Sequence, residues 1–353
     1  MTFVVNFGDK LKAAAVQAAP VFLDREATVD KACRLVEEAG ANGADLVVFP
    51  EVFIPGYCHW LHFYPAGHPL SVRLHRELFK NAVEVPSPAT DRLCQAAKKA
   101  NAYVVMGLNE RRPGMMPGTL YNTMLFIHRN GTIMGKHQKL MPTFIEKIVH
   151  AIGDGSTLKV FPTEYGPIGG LACGENGNPL LKFALYAQGE VVHAAGWPSY
   201  TDRGPSRLSH DLMLLRMRSY AFEGRVFAVS AAEMFTQEMA EALELDGATR
   251  EALARVGGYS AILGPMGQFL AGPAEYGETI LYADLDLEQV VDARYRQDIT
   301  GHYNRFDVVS LNYNGTPNVP IRFRGGTPTE KGGAPATTGE PDASKSPLGP
   351  DEG

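Results

Sequence analysis

The chain has 353 residues, of which 45% are hydrophobic and 20% charged, as in globular proteins rather than disordered or fibrous ones. The formal net charge of -6 offers no basic surface for a phosphate backbone, so we expect no nucleic-acid partner. The 4 cysteines are widely spaced without a CxxC pair, and no stretch approaches the roughly 20 apolar residues that span a bilayer. We therefore expect a cytoplasmic protein without a membrane partner.

The first half of the chain alternates strand and helix patterns. Asp24 is a helix-starting residue, and the sequence Asn130-Gly131 favours a tight hairpin turn because both of its residues accept positive φ. Period-two and period-3.6 apolar patterns then predict strands at 11–17, 45–49 and 103–108, helices at 24–39 and 90–100, and a hairpin of 123–127 with 132–136.

The second half continues the alternation, which predicts one mixed α/β body with helices covering sheet faces. The charged stretch 238–255 is expected to be a solvated helix or loop insertion. Residues 313–324 form a predicted extended arm, and 325–353 form a predicted disordered tail because they contain almost no large apolar side chains. The patterns predict strands at 168–172, 191–195 and 226–231, helices at 179–188 and 209–223, and a hairpin of 261–263 with 268–271.

Three reactive side chains stand at the ends of predicted strands. Glu51 follows an apolar strand and Pro50, where partial desolvation would raise its pKa and suit it to proton transfer. Lys139 follows the second strand of the Asn-Gly hairpin, where an ammonium group could stabilise developing negative charge. Taken singly, a solvated loop glutamate and a surface lysine are the plainer interpretations.

Cys173 has the most specific surroundings of the three. A short apolar strand ends there among small residues, Asn178 is a predicted N-cap, and Pro179 is a predicted first helical residue. A strand, a sharp turn and a helix present a nucleophile at the end of a sheet, and a nearby helix N-terminus favours a thiolate. The alternative is a buried inert cysteine, which fits Cys33 and Cys94 on predicted helices.

These segments together resemble the nitrilase branch of the carbon–nitrogen hydrolase superfamily. The resemblance covers roughly residues 11 to 312 in the expected order. It rests on Ala15-Val-Gln-Ala-Ala-Pro20, Val48-Phe-Pro-Glu51, Pro55-Gly-Tyr57, Gly107-Leu-Asn-Glu-Arg111, Lys136 to Thr143 with Glu146, Gly153-Asp-Gly-Ser156, Gly170 to Leu180 and Gly301-His-Tyr-Asn-Arg-Phe-Asp-Val308.

The resemblance implies a four-layer αββα sandwich over residues 11–312 that dimerises into an eight-layer unit and assembles further into spirals in many members. It implies a catalytic triad of Glu51, Lys139 and Cys173, supported by Glu146 and by the backbone N–H of Gly174. The implied reaction converts an organic nitrile and water into the carboxylic acid and ammonia, with no cofactor. The alternatives are an amidase or carbamoylase of the same superfamily, or a filament-forming scaffold with little catalysis.

The substrate pocket is predicted more weakly. Tyr57, Trp60 and Trp197 lie in loops near predicted strand ends and could line an apolar cleft for an aryl or arylalkyl nitrile, although core packing is an equally good interpretation. Nitrilases usually carry tryptophan after the nucleophile, where this chain has Gly174. The group Cys58, His59, His62 and His68 matches no standard metal-binding spacing, so we expect no metal.

Overall fold

The structure is a computed structural model that describes residues 7, 9–112, 118–199, 208–253 and 257–319. Residues Met1–Asn318 form one compact unit, and Val319–Gly353 form a second, of which only Val319 is described. The predicted tail at 325–353 therefore lies outside the described residues, as does 320–324 of the predicted arm. The described part of that arm, 313–319, contains no helix or strand.

Two sheets form the centre of the first unit. The first sheet has the strand order β11-β1-β2-β3-β4-β5 and the second has the order β10-β9-β8-β7-β6. Strands of the first sheet are β1 Lys10–Gln17, β2 Leu46–Val48, β3 Tyr103–Glu110, β4 Tyr121–Ile127, β5 Ile133–Gln138 and β11 Thr279–Asp286. Strands of the second are β6 Ile168–Ala172, β7 Val192–Trp197, β8 Phe227–Ala232, β9 Ala261–Leu263 and β10 Phe269–Ala271.

Helices cover the outer faces of both sheets. The inner faces pack on each other, with Val48 and Phe126 of the first sheet in one buried cluster with Val192 and Val229 of the second. This four-layer order confirms the predicted αββα sandwich. The helices are α1 Arg25–Ala41, α2 Pro69–Asn81, α3 Pro88–Ala100, α4 Pro179–Tyr186, α5 Leu208–Gly224, α6 Gln237–Ala242, α7 Gly247–Leu253 and α8 Glu288–Arg296.

The outer layers are built by amphipathic helices whose apolar stripes face the sheets. Val29 and Val36 of α1 and Leu93 of α3 pack against the first sheet. Met213 and Met217 of α5 pack against the second. α1, α3 and α5 therefore cover the sheets, whereas α2, α6 and α7 bury their apolar residues in a separate cluster.

The stretch 238–255 differs from the expected solvated insertion. It contains α6 and α7, and Met239, Leu243, Leu245 and Leu253 are buried in a cluster with Trp60 and Leu74. Its charges occupy the outer side, while these apolar residues close one end of the sandwich. None of the helices in the described part of the chain combines the length and hydropathy that a bilayer crossing needs.

Candidate active site

Glu51 follows β2 at the carboxyl end of the first sheet and lies against the second sheet. The backbone of Glu51 passes so close to Gly196 of β7 that a Cβ added there would lie 2.8 Å from Glu51 N. Gly196 pairs in register with Ala172, the residue before Cys173. The two sheets therefore bring Glu51 beside the strand that carries the predicted nucleophile.

Lys139 follows β5 and is completely surrounded by protein. Its Nζ donates to Glu51 Oε1 and to Glu146 Oε2, both at 2.7 Å. Asn122 of β4 joins the same carboxylates, since its Nδ2 donates to Glu51 Oε1 at 2.6 Å and to Glu146 Oε1 at 3.1 Å. One ammonium and one amide thus hold two carboxylates in a fixed arrangement.

Burial and charge separate the pKa values of these groups. Burial raises the pKa of Glu51 to about 7, although the attraction of Lys139 opposes this rise. Burial also acts on Glu146, but Lys139 and His150 outweigh it and hold the pKa of the Glu146 carboxyl well below its usual range. Burial disfavours the ammonium form of Lys139, yet Glu51 and Glu146 together raise its pKa well above the ordinary value. Glu51 is thus the group suited to exchange protons near neutral pH.

Cys173 stands at the end of β6 with a left-handed backbone, φ 49°, a conformation that costs energy for a residue with a side chain. It is 8% exposed and packs beside Ala195, Trp197 and Met213. The charge interaction between Cys173 and Lys139 contributes to the raised pKa of the lysine, so the two groups lie near each other.

The chain after Cys173 forms a single 3-10 turn before α4 begins. The predicted N-cap is present, because the Asn178 side chain accepts from Leu180 N at 3.0 Å, and Pro179 is the first helical residue. Gly174 lies near the segment that follows Lys139, because a Cβ added to Gly174 would meet only Thr143 Oγ1, at 3.2 Å. The 3-10 turn Cys173–Gly177 therefore lies between the thiol and α4.

Sequence reasoning missed the side chains that hold this turn. Asn176 Nδ2 donates to the carbonyl oxygens of Leu171 and Cys173 at 3.1 and 3.0 Å. His193 Nε2 lies 2.7 Å from Asn176 Oδ1, and its Nδ1 lies 2.8 Å from Glu190 Oε1. Asn176 lies within the motif Gly170 to Leu180, but His193 follows it by 17 residues. The pattern alone therefore does not reveal that Asn176, His193 and Glu190 form a chain of hydrogen bonds.

The three predicted pocket residues lie in different surroundings. Trp60 is 0% exposed and packs edge-on against Phe22 in the cluster at the end of the sandwich. Trp197 shares the buried cluster of Cys173. Tyr57 lies near the charged groups, since Glu146, Glu51 and Cys173 all contribute, after burial and Cys58, to its raised pKa. Trp197 thus packs in the cluster of the nucleophile, Tyr57 interacts electrostatically with the charged groups, and Trp60 is a core residue at the end of the sandwich.

The histidines of the 58–68 segment have protein partners. His59 Nε2 lies 2.8 Å from Glu233 Oε2, and the His68 side chain caps α2 by accepting from Leu70 N. Among the described residues no group of three or more histidine, cysteine or acidic side chains is arranged to hold a metal ion.

Comparison with known proteins identifies the family of the chain. The carbon-nitrogen hydrolase family model matches residues 12–295. An aliphatic nitrilase of Rhodococcus rhodochrous is 39% identical over 90% of this chain and 86% of its own. A nitrilase of Bacillus sp. (strain OxB-1) is 36% identical over 90% and 91%. A bifunctional nitrilase/nitrile hydratase of Lupinus angustifolius is 38% identical over 89% and 88%.

Solved structures share the fold. A carbon–nitrogen hydrolase from Helicobacter pylori G27 aligns with a TM-score of 0.64 at 19% identity, over 82% of this chain and 94% of the other. Nit3 of Saccharomyces cerevisiae, a member of branch 10 of the nitrilase superfamily, gives 0.64 at 22% identity, over 84% and 97%. The chain belongs to the carbon–nitrogen hydrolase family. Within that family its relatives place it in the nitrilase branch.

Proposed function

We propose that the protein is a nitrilase that converts an organic nitrile to the carboxylic acid and ammonia. The observation that carries the proposal is the buried cluster of Glu51, Lys139 and Glu146 beside the strained turn of Cys173. Three relatives that carry nitrilase in their names, each matched over about nine-tenths of this chain, support the choice of nitriles.

In the proposed first step Glu51 takes the proton of the Cys173 thiol. Its Oε1 already accepts from Lys139 and Asn122, whereas its Oε2 has no hydrogen-bond partner among the described residues. The thiolate then forms a bond to the nitrile carbon, one π pair moves to nitrogen, and Glu51 returns the proton to give a thioimidate.

Water completes the proposed reaction in two further steps. Glu51 removes a proton from one water, which adds to the thioimidate carbon to form a tetrahedral intermediate. Glu51 gives this proton to the nitrogen, a second proton passes to the nitrogen from the new hydroxyl group, and ammonia leaves as the carbonyl of a thioester forms. Glu51 then removes a proton from a second water, which adds to the thioester carbon. The carbon–sulfur bond breaks, the carboxylic acid leaves, and Glu51 returns the proton to the thiolate, which restores the Cys173 thiol.

Lys139 and Gly174 are the proposed stabilisers of developing charge. The Lys139 ammonium is fixed by two carboxylates, so it costs little reorganisation when negative charge builds on the substrate nitrogen or oxygen. The Gly174 N–H follows the nucleophile directly and would add a second donor. Glu146 would keep Lys139 in place and protonated, a role that matches its low pKa and its bond to Thr143 N at 2.7 Å.

The tetrahedral intermediate could also expel the thiolate before ammonia leaves, which would release an amide. The Lupinus relative, named as bifunctional, supports some amide by-product. We propose acid as the main product because Glu51, with a pKa of about 7, can carry the proton that the departing nitrogen needs.

A nitrile panel with ammonia, acid and amide all quantified tests the proposal. Cys173→Ala should abolish ammonia release while the fold is retained. Cys94→Ala is the matched control, because Cys94 of α3 is 9% exposed, close to the 8% of Cys173, and packs in the helix-covered cluster of the first sheet, apart from Cys173. Release of ammonia from amides but not from the matching nitriles would make the protein an amidase instead.

We propose an apolar aryl or arylalkyl nitrile as substrate, with Tyr57 and Trp197 as wall residues and Trp60 behind them. Support comes from the position of Tyr57 beside the charged cluster and from the few atoms near Gly174, which leave room for a bulky group. In the same panel, a preference for short polar nitriles would contradict this choice.

We also propose that the enzyme is a cytoplasmic homo-oligomer built from dimers that can assemble further into spirals. Three apolar side chains of α5, Leu212, Leu215 and Phe222, are exposed on one side of the helix and support a subunit contact there. The domain boundaries 11–312, 313–324 and 325–353 stand as part of this proposal.

A further inference from the structure

Glu175 is a buried carboxylate that the reaction itself does not use, and it bonds on both sides of the site. Its Oε1 accepts from Leu140 N at 2.7 Å, and its Oε2 accepts from Ala172 N at 3.1 Å. His137 Nε2 lies 3.0 Å from Oε2 as well. The side chain is almost fully enclosed, so these protein groups replace its hydration.

The two backbone groups that Glu175 holds belong to different sheets. Leu140 directly follows Lys139 beyond β5, the last strand of the first sheet, and Ala172 directly precedes Cys173 at the end of β6, the last strand of the second. One carboxylate therefore ties the residue after the ammonium to the residue before the thiol, across the gap between two sheet edges.

The charge of Glu175 is maintained by its surroundings. Burial disfavours the carboxylate, but His137 and, to a smaller extent, Lys139 and Ala172 N hold the pKa of Glu175 below its usual value. A charged acceptor makes shorter and stronger hydrogen bonds to N–H groups than a neutral one. The tie between the sheet edges therefore stays intact at the pH at which Glu51 exchanges protons.

We propose that Glu175 is a positioning residue that fixes the separation between the Lys139 ammonium and the Cys173 thiol. The expected effect on kcat rests on the proposed function. The expected effect of Glu175 on the reactivity of the Cys173 thiol does not depend on the substrate. Small displacements of reacting groups cost rate steeply, so loss of one of the two N–H bonds should be visible in the chemistry of the thiol.

The test compares three variants with the wild-type chain. E175Q offers one acceptor oxygen in place of two, and E175D keeps the charge but is one methylene too short to reach both N–H groups. E110Q is the matched control, because Glu110 is also buried and accepts from Thr123 and Gln138, on the opposite face of the hairpin from Asn122 and Lys139.

Two readouts are measured for each variant that keeps the wild-type circular dichroism spectrum. The first is the rate of Cys173 alkylation by iodoacetamide against pH, read by mass spectrometry of the Cys173 peptide. The second is kcat and KM for a nitrile that the wild type hydrolyses. We expect E175Q and E175D to slow alkylation and kcat about 10- to 100-fold with KM changed less than about twofold. E110Q should leave both within about twofold of wild type.

Alkylation of either Glu175 variant within about twofold of wild type would overturn the proposal, as would an equal loss in E110Q. E175D serves where E175Q is too unstable to purify, because it keeps the buried charge beside His137. If the wild type alkylates at Cys173 but releases no ammonia from any nitrile, the proposed function fails while the alkylation comparison still decides the role of Glu175.

Discussion

Glu51 is buried and lies beside the Lys139 ammonium, and these two features shift its pKa in opposite directions. Burial dominates and raises its pKa to about 7, so the carboxylate is a stronger base than an exposed glutamate. The oxygen without a partner among the described residues is the one able to accept a proton from a thiol or from water. Its protonation state should therefore control the rate at acidic pH.

Below about pH 7 the Glu51 carboxyl becomes protonated and can no longer accept the thiol proton, so kcat/KM should fall tenfold per pH unit. Asn122→Ala should move this acid limb to higher pH, because the bond from Asn122 lowers the pKa of Glu51. The measurement is kcat/KM for a nitrile from pH 5 to 9. An acid limb near the ordinary glutamate value in the wild type would contradict the assignment of Glu51 as the base.

The sequence predicted the residues with reactive groups and, through the resemblance, Glu146, but it did not predict Asn122 or Glu175, which hold the neighbouring groups. Cys173 is a candidate from its own neighbours, whereas Glu51 and Lys139 become candidates only when the three separate motifs are taken together. Asn122 reaches Glu51 across 71 residues of chain, and Glu175 reaches Leu140 across 35. Such pairings depend on which strands become neighbours, which a single sequence does not state.

At the scale of elements, β7 permits the close approach of Glu51 because it has glycine at position 196. Gly196→Ala would place a methyl group 2.8 Å from Glu51 N and 3.1 Å from its Cα. Both are backbone atoms that cannot move aside alone, so Glu51 should shift relative to Lys139. We expect activity to fall about 100-fold and the free energy of unfolding to fall by about 1–3 kcal/mol.

Gly67→Ala is the matched control for that substitution, since an added Cβ there meets nothing within 4 Å. Nitrile hydrolysis and urea unfolding of both variants, measured side by side, give the comparison. A Gly196→Ala enzyme with wild-type kcat would mean that the approach of β7 to Glu51 does not set the geometry of the site.

The predicted elements agree with the structure where the pattern was local. The β4–β5 hairpin and the Asn178 cap of α4 follow from nearby residues. The turn itself differs from the expected one, because Gly131 takes a positive φ of 85° and Asn130 does not. Three elements were not predicted: α2, β11 and α8. The signal for α2 was present, because His68 and Pro69 start it and Leu70, Leu74 and Leu78 line one face. β11 pairs antiparallel with β1, which lies more than 250 residues earlier in the chain. Such a long-range pairing leaves no local pattern from which β11 could be predicted.

At the scale of the whole molecule, the sandwich places every proposed reactive group at sheet ends and leaves the helical layers free for other contacts. α5 buries Met213, Met217 and Ala221 against the second sheet and exposes Leu212, Leu215 and Phe222. A helix that is apolar on both sides fits a position between two cores, its own and that of a second subunit. This arrangement would join two αββα units into the proposed eight-layer dimer.

Leu215 is 61% exposed, so replacing it should act on assembly more than on folding. In a two-fold symmetric contact Leu215→Glu introduces one charge from each subunit. It also removes the burial of two leucine side chains, each of which stabilises the contact by about 1.5–3 kcal/mol. We expect sedimentation or light scattering to show the wild type as a dimer or larger and Leu215→Glu shifted toward monomer. Val72→Glu, on an exposed apolar site of α2, should leave assembly unchanged. A monomeric wild-type chain would mean that there is no stable subunit contact. A Leu215→Glu chain that assembles normally would mean that the contact lies on another surface.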